Sequence, residues 1–257
     1  MATPQGWRTA IAYADADTIV LRGHSLLGMI GKATFAEAYL LAATGVTPTA
    51  DQALVLDAIM VAVIDHGIVP ASIVTRYLAS CGTPLQSAVA GGVLAFGDTY
   101  GGAAQPLAEY LHTAKAASED PETVAQAVLD RCTQSRQVVP GYGHPLHPHG
   151  DPRATSLLGI ARQRGVAGRH VAAATAIEGL LQQRKGRPIP LNADGVIGAI
   201  ALDLGIDWRL VRALIFVPRS AGLAVHAVEE MVREKGWRHA ADDEIQYDGP
   251  AYQGAST

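Results

Sequence analysis

Cysteine, aromatic residues and positive charge are all scarce in this sequence of 257 residues. Its two cysteines, Cys81 and Cys132, are too few for a disulfide framework and lack the spacing of metal ligands, which suits a reducing compartment. The formal net charge of −4 offers no basic stripe for nucleic acid. Aromatic residues make up 5% and hydrophobic residues 49%, so we expect a large core of closely packed helices.

A basic start followed by an apolar block is also absent, so the N-terminus shows no secretory signal. Apolar runs elsewhere are interrupted by residues such as Asp57 and Asp65, before the roughly 20 residues that a bilayer requires. We therefore predict a cytoplasmic protein that binds neither a membrane nor nucleic acid.

Strand-like alternation is nearly absent, and proline and glycine divide the chain into helical segments. Proline follows a candidate cap or loop residue at 48, 70, 84, 121 and 152, where it suits the first helical position. Only 17–21 is predicted as a strand. The sequence predicts an all-α fold, with helices over 53–64, 71–80, 85–96, 103–117, 122–135, 154–164, 169–183, 193–204 and 208–235, the last with a possible break at Pro218.

The segment 140–153 is unusually rich in glycine, proline and histidine, a composition typical of a functional loop. Three imidazoles, His144, His147 and His149, could in principle surround zinc, but no fourth ligand is evident and no metal is predicted. In the alternative interpretation, the backbone amides of Gly141, Tyr142 and Gly143 face a ligand, with His144 at the edge of the loop.

Two charged residues at predicted helix starts are further candidates. Arg153 follows Asp151 and Pro152, and its guanidinium fork suits a carboxylate, although an exposed arginine is the simpler interpretation. Asp194 begins an apolar, glycine-containing helix, where it either stabilises the helix dipole or acts as an accessible, partly desolvated acid or base. Two helix corners, one with His66 and one spanning 97–102, are candidates to converge on one cavity.

Taken in order, these motifs resemble the citrate synthase superfamily from about residue 18 to 250. The match consists of the segment 22–41, Asp65-His66-Gly67, the turn 97–102, Pro140-Gly141-Tyr142-Gly143-His144 with Asp151-Pro152-Arg153, Leu191-Asn192-Ala193-Asp194-Gly195, and Pro218-Arg219-Ser220-Ala221-Gly222. The resemblance implies an all-α homodimer or higher homo-oligomer. It also implies a large domain from 1–110 and 206–257 and a smaller inserted domain from 111–205.

The resemblance further implies roles for individual residues. His66, Arg153 and Arg219 are expected to bind the carboxylate part of the substrate, and Gly141, Tyr142 and Gly143 to contact coenzyme A, which is part of the substrate and not a tightly bound cofactor. His144 and Asp194 are expected to be catalytic, His144 as the base for the substrate hydroxyl and Asp194 as the acid for the enolate carbon.

Position 100 distinguishes this chain from ordinary citrate synthases, which carry a histidine there. Tyr100 and the short chain resemble citryl-CoA lyases and the citryl-CoA lyase module of ATP-citrate lyase. Tyr100 is therefore a third catalytic candidate, donating to the thioester oxygen, or else a structural residue. An acidic run over 242–244 stands where citrate synthases have arginines. We expect citryl-CoA cleavage, with citrate or 2-methylcitrate synthesis and a non-catalytic CoA-thioester-binding protein as alternatives.

Overall fold

The computed structural model describes residues 6–115, 118–143, 147, 150–251 and 254. Helices dominate this part of the chain, which confirms the all-α prediction. The α-helices within it are α1 (Leu26–Met29), α2 (Phe35–Thr44), α3 (Ala50–Val63), α4 (Pro70–Ser80), α5 (Leu85–Leu94), α6 (Ala104–Lys115), α7 (Pro121–Gln134), α8 (Pro152–Gln163), α9 (Arg169–Lys185), α10 (Ala193–Asp203) and α11 (Ala213–Arg233).

The strands of the described residues form a small antiparallel sheet near the N-terminus. Strand β2 (Ile19–Leu21) lies between β1 (Ala12–Ala14) and β3 (His24–Ser25), with Ala12 opposite Leu21 and Leu21 opposite His24. The sequence predicts only the central strand. Its partners are two and three residues long, too short for an alternating pattern to reveal them.

Proline occupies the first helical position at three of the five places where the sequence predicts it, and the two exceptions have a local cause. Pro70, Pro121 and Pro152 each occupy the first position of a helix. Pro48 does not, because Thr49 caps α3 through a reciprocal bond pair with Gln52. Pro84 is itself the cap residue of α5.

The C-terminal helix α11 differs from its prediction at both ends and in the middle. A short 3-10 turn, Trp208–Leu210, precedes it, and the helix continues without a break through Pro218. Together the turn and helix are long and apolar enough to span a bilayer by length and composition, contrary to the sequence-based expectation. However, α11 packs on α3, α4 and α5 and buries Arg219 and Glu230, as a core helix does.

The core centres on α10, which lies against α6, α8 and α9 with nine of its residues buried. A second, smaller cluster joins α4, α5 and α11 through Ala79, Ala88 and Ala227, whose small side chains allow close helix packing. The predicted domain boundary at residues 110 and 111 falls inside α6. The division into a large and an inserted domain stays a prediction.

Candidate active site

A tight turn between α5 and α6 presents Tyr100. The Gly97 amide donates to the Tyr100 carbonyl at 3.0 Å, and Gly101 adopts a φ of 67° that glycine tolerates best. The Tyr100 ring stacks on Phe96 with 5.2 Å between ring centroids. The turn therefore fixes the phenol by both its backbone and its ring.

Groups from three other elements influence the pKa of the Tyr100 phenol. Burial raises the pKa of Tyr100 above its ordinary value, while Arg219 and the Ala71 amide, acting as hydrogen-bond donors, oppose the rise. The carboxylate of Asp194 is close enough to raise this pKa further. At neutral pH the group is thus a protonated phenol, able to donate a hydrogen bond.

Arg219 links this group to the corner that carries His66. It is 5% exposed, its Nε donates to the Val63 carbonyl at 2.8 Å, and its guanidinium carbon lies 6.0 Å from the Phe96 ring centroid. Val63 is the last residue of α3, and His66 lies exposed in the connection to α4. Arg219 therefore reaches from the long C-terminal helix to both corners that the sequence predicts to converge.

Asp65, which directly precedes His66 at this corner, is held by contacts of its own. Asp65 accepts from the Gly67 amide at 2.6 Å, and its other oxygen lies 3.1 Å from Nε2 of His226 on α11. Gly222, one turn before His226, lies so close to the Ile64 carbonyl that a Cβ would collide with it. These contacts position the backbone around His66, and sequence inspection alone does not identify His226.

The loop at 141–143 is docked against the start of α10. The Asn192 amide donates to the Gly141 carbonyl at 2.9 Å, and the Asn192 side chain donates to the Gly143 carbonyl at 2.7 Å. Gly141 has a φ of 83°, and a Cβ there would lie 2.7 Å from the Cα of Gly195. Only glycine fits this close approach.

The structure corrects part of the predicted coenzyme A contact. The Gly143 amide already donates to the Pro190 carbonyl at 2.7 Å, so it is not directed at a ligand. The hydroxyl of Tyr142 donates to the Ala174 carbonyl at 2.7 Å, and burial raises its pKa well above the ordinary value. The Tyr142 side chain anchors the loop from inside and does not present itself to a ligand.

Asp194 lies in the first turn of α10 and is half-buried. The Asn192 side chain caps this helix by accepting from the Gly195 amide at 3.1 Å. The start of α10 thus brings the Asp194 carboxylate within electrostatic range of the Tyr100 phenol. Asp194 and Arg219, from two other segments of the chain, both influence the pKa of Tyr100.

Arg153 lies at the start of α8 and is held by Asp151. Its Nε and Nη2 lie 3.1 and 2.8 Å from the two oxygens of Asp151, whose side chain is fully buried. The same carboxylate accepts from the Ala193 amide at 3.2 Å, next to Asp194. The sequence predicts Asp151 only as a helix cap, because its bond to residue 193 joins distant parts of the chain.

Of the three histidines in the loop, His144 and His149 lie outside the described residues, and His147 is half-buried. A cavity of about 340 Å³ lies behind the loop, lined in part by Tyr142, Ile189, Arg184 and Lys185. The two basic residues end α9, and no motif in the sequence marks them.

These features define a class: an all-helical protein whose site combines a phenol, an arginine and a carboxylate beside a glycine loop. The family model described as "Citrate synthase, C-terminal domain" matches residues 8–240. The chain therefore belongs to the citrate synthase family, which confirms the resemblance drawn from its motifs.

The chain is similar to both citryl-CoA lyases and citrate synthases. The structure of citryl-CoA lyase from Hydrogenobacter thermophilus is 33% identical, with a TM-score of 0.89 and 97% of both chains covered. Citrate/2-methylcitrate synthase of Bacillus subtilis is 28% identical over 84% of this chain and 56% of its own. ATP citrate lyase from Methanothrix soehngenii, solved with citrate and coenzyme A, shares the fold at 23% identity and a TM-score of 0.78, with 98% of this chain and 43% of its own covered. This chain spans about half the length of the curated relatives it matches.

Proposed function

We propose that this protein cleaves citryl-CoA, or a related 3-hydroxyacyl-CoA, to acetyl-CoA and a 2-oxo acid such as oxaloacetate. The observation that carries the proposal is the full-length likeness to a citryl-CoA lyase, together with a phenol beside Asp194 and Arg219. This chain covers a smaller share of its citrate synthase relatives, 56% and 58% of their length, than of the citryl-CoA lyase.

The carboxylates of the substrate are bound by Arg219 and Arg153. Arg219 is buried and uses its Nε for the Val63 carbonyl, which leaves its terminal nitrogens for Tyr100 and a ligand. Arg153 has its side face on Asp151, which leaves the end of its guanidinium fork for a carboxylate. His66, on the corner next to Arg219, completes the carboxylate site.

The reaction breaks the bond between the hydroxyl-bearing carbon and the carbon next to the thioester. His144, placed here by its motif, accepts the hydroxyl proton as the new carbonyl forms. The electron pair of the broken bond becomes the acetyl-CoA enolate, whose carbon receives a proton from Asp194, which enters this step as the neutral carboxylic acid and leaves it as the carboxylate. Tyr100 donates a hydrogen bond to the thioester oxygen as negative charge develops there.

Coenzyme A enters as part of the substrate. We place its thioester arm along the backbone of the glycine loop, which its hydrogen bonds to Asn192 hold in one position. Arg184 and Lys185, lining the cavity of about 340 Å³ behind the loop, supply positive charge for its phosphates. The proposal requires no tightly bound cofactor.

We also propose that the protein is a cytoplasmic homodimer. Val225, Val228 and Val232 share one exposed face of α11, opposite the face that packs on the core. An exposed apolar stripe of this kind marks an interaction surface, and a second copy of this chain is the proposed occupant. The free thiols of Cys81 and Cys132 accord with a reducing compartment.

The second candidate function is citrate or 2-methylcitrate synthesis, favoured by the Bacillus subtilis relative. The two are distinguished by the products that purified protein forms from citryl-CoA. A lyase releases oxaloacetate, which a coupled dehydrogenase detects, whereas the hydrolytic step of a synthase releases citrate and free coenzyme A. A non-catalytic homologue binds coenzyme A and releases neither set of products.

A further inference from the structure

We infer that Asp151 is a positioning residue that couples the substrate arginine to the helix carrying the catalytic acid. The inference rests on the proposed function, because that function gives Arg153 and Asp194 their roles. Asp151 itself touches no reacting atom and acts through these two neighbours.

The carboxylate of Asp151 has four donors, two on each oxygen. Its Oδ1 accepts from the Arg153 amide at 3.0 Å and from Nε of Arg153 at 3.1 Å. Its Oδ2 accepts from Nη2 of Arg153 at 2.8 Å and from the Ala193 amide at 3.2 Å. A fully buried carboxylate with this many donors is held in one orientation.

Asp151 determines which face of the Arg153 guanidinium a substrate can reach. Nε and Nη2 are the side face of the guanidinium, and Asp151 engages both. The end of the fork, with one N–H on each terminal nitrogen, remains for a ligand. Asp151 thereby fixes the direction from which a carboxylate binds, which favours substrates that carry a carboxylate at that one position.

Asp151 also holds the backbone next to Asp194. Ala193 is the first residue of α10 and directly precedes Asp194. One carboxylate therefore holds both the substrate arginine and the backbone before the catalytic acid. Burial alone would raise the pKa of Asp151, but its bonds to Arg153 and Ala193 outweigh burial and lower it, so the group is ionised at neutral pH.

The test compares Asp151→Asn with Asp203→Asn. Asp203 is a matched carboxylate at the other end of α10, with the Gly168, His170 and Val171 amides and Nδ1 of His170 between 2.7 and 3.1 Å from its oxygens. Both variants remove a buried, fully hydrogen-bonded carboxylate. Only Asp151→Asn is expected to change the kinetics, raising KM for citryl-CoA about 10-fold and lowering kcat about 10- to 100-fold.

A double-mutant cycle with Arg153→Gln separates positioning from a general loss of structure. If Asp151 acts on substrate binding through Arg153, adding Asp151→Asn to Arg153→Gln raises KM little further. Asp151→Glu, which keeps the charge but displaces the carboxylate, is the second variant if the asparagine variant does not fold. Like Asp151→Asn, it is expected to raise KM and to lower kcat.

Two outcomes overturn the inference: Asp151→Asn kinetics matching those of Asp203→Asn, or a KM effect of Asp151→Asn that is undiminished by Arg153→Gln. Failure of the proposed function looks different, since the wild-type protein then leaves citryl-CoA intact. In that event calorimetric titration with oxaloacetate tests Asp151 directly. About 10-fold weaker binding by Asp151→Asn than by Asp203→Asn supports the inference, and equal binding by the two variants refutes it.

Discussion

Residue 100 carries the main chemical distinction of this chain. Tyr100 cannot act as a cation the way a histidine can, and burial beside Asp194 keeps its phenol protonated. Its contribution is then a neutral hydrogen bond to the thioester oxygen, held in place by the stacked Phe96 ring and the donors on α4 and α11.

Removing that hydroxyl tests the role directly. Tyr100→Phe is expected to lower kcat about 10- to 100-fold with little change in KM, because the bond strengthens as charge develops on the oxygen. Tyr110→Phe is the control: its hydroxyl donates to Gln137 at 3.1 Å and its ring lies under Arg131, so it serves structure. Equal kcat values for the two variants would show that Tyr100 is structural.

The site residues found from the sequence are those that belong to short motifs. Tyr100, Asp194 and Arg219 each stand in a recognisable segment, and in the structure both Arg219 and Asp194 influence the pKa of Tyr100. The roles of Asp151 and His226 in holding the site are not evident from the sequence, because their partners Ala193 and Asp65 are distant along the chain. A local pattern reports which residue types are present, whereas only the fold reports which backbone group a carboxylate meets.

Helices were predictable here to the extent that their ends carry local signals. Pro121 with Asp120, and Pro152 with Asp151, start helices as the sequence indicates. The pairing of the glycine loop with Asn192 was not predictable, since it joins segments about 50 residues apart. The start of α10 depends on that pairing as much as on its own cap.

The N-terminus of α9 provides a prediction on pH. Burial of Asp203 would raise its pKa, but the His170 side chain and the Val171, His170 and Gly168 amides outweigh burial and lower it below the ordinary 3.8. A depressed carboxyl pKa stabilises the fold above the unfolded pKa, and this stability is lost as pH falls through the folded value. Asp203→Asn is expected to reduce the free energy of unfolding at pH 7 by about 2 kcal/mol.

Urea denaturation of the wild-type protein and Asp203→Asn at several pH values checks this. The difference between their free energies of unfolding is expected to stay constant from pH 7 to about 5 and to shrink below about pH 4. A difference that grew as the pH fell would contradict the lowered pKa of Asp203.

One face of α11 packs in the core, and the opposite face, with Val225, Val228 and Val232, is exposed and apolar. The proposed dimer covers that exposed face, and Val228→Glu is expected to yield a monomer because it places a charge in the interface. Light scattering after gel filtration measures the mass. Val46→Glu, at an exposed valine between α2 and α3, is the control and is expected to retain the wild-type mass. A wild-type mass for Val228→Glu would refute this interface.

The proposed function depends on cleavage of the carbon–carbon bond followed by protonation of the enolate carbon by Asp194. The most direct test is to mix the protein with citryl-CoA in deuterium oxide and analyse the products by mass spectrometry and NMR. We expect one oxaloacetate for each acetyl-CoA, one deuterium in each acetyl methyl group, and no turnover by Asp194→Asn despite retained coenzyme A binding. Citrate with free coenzyme A, or acetyl-CoA without deuterium, would contradict the proposal.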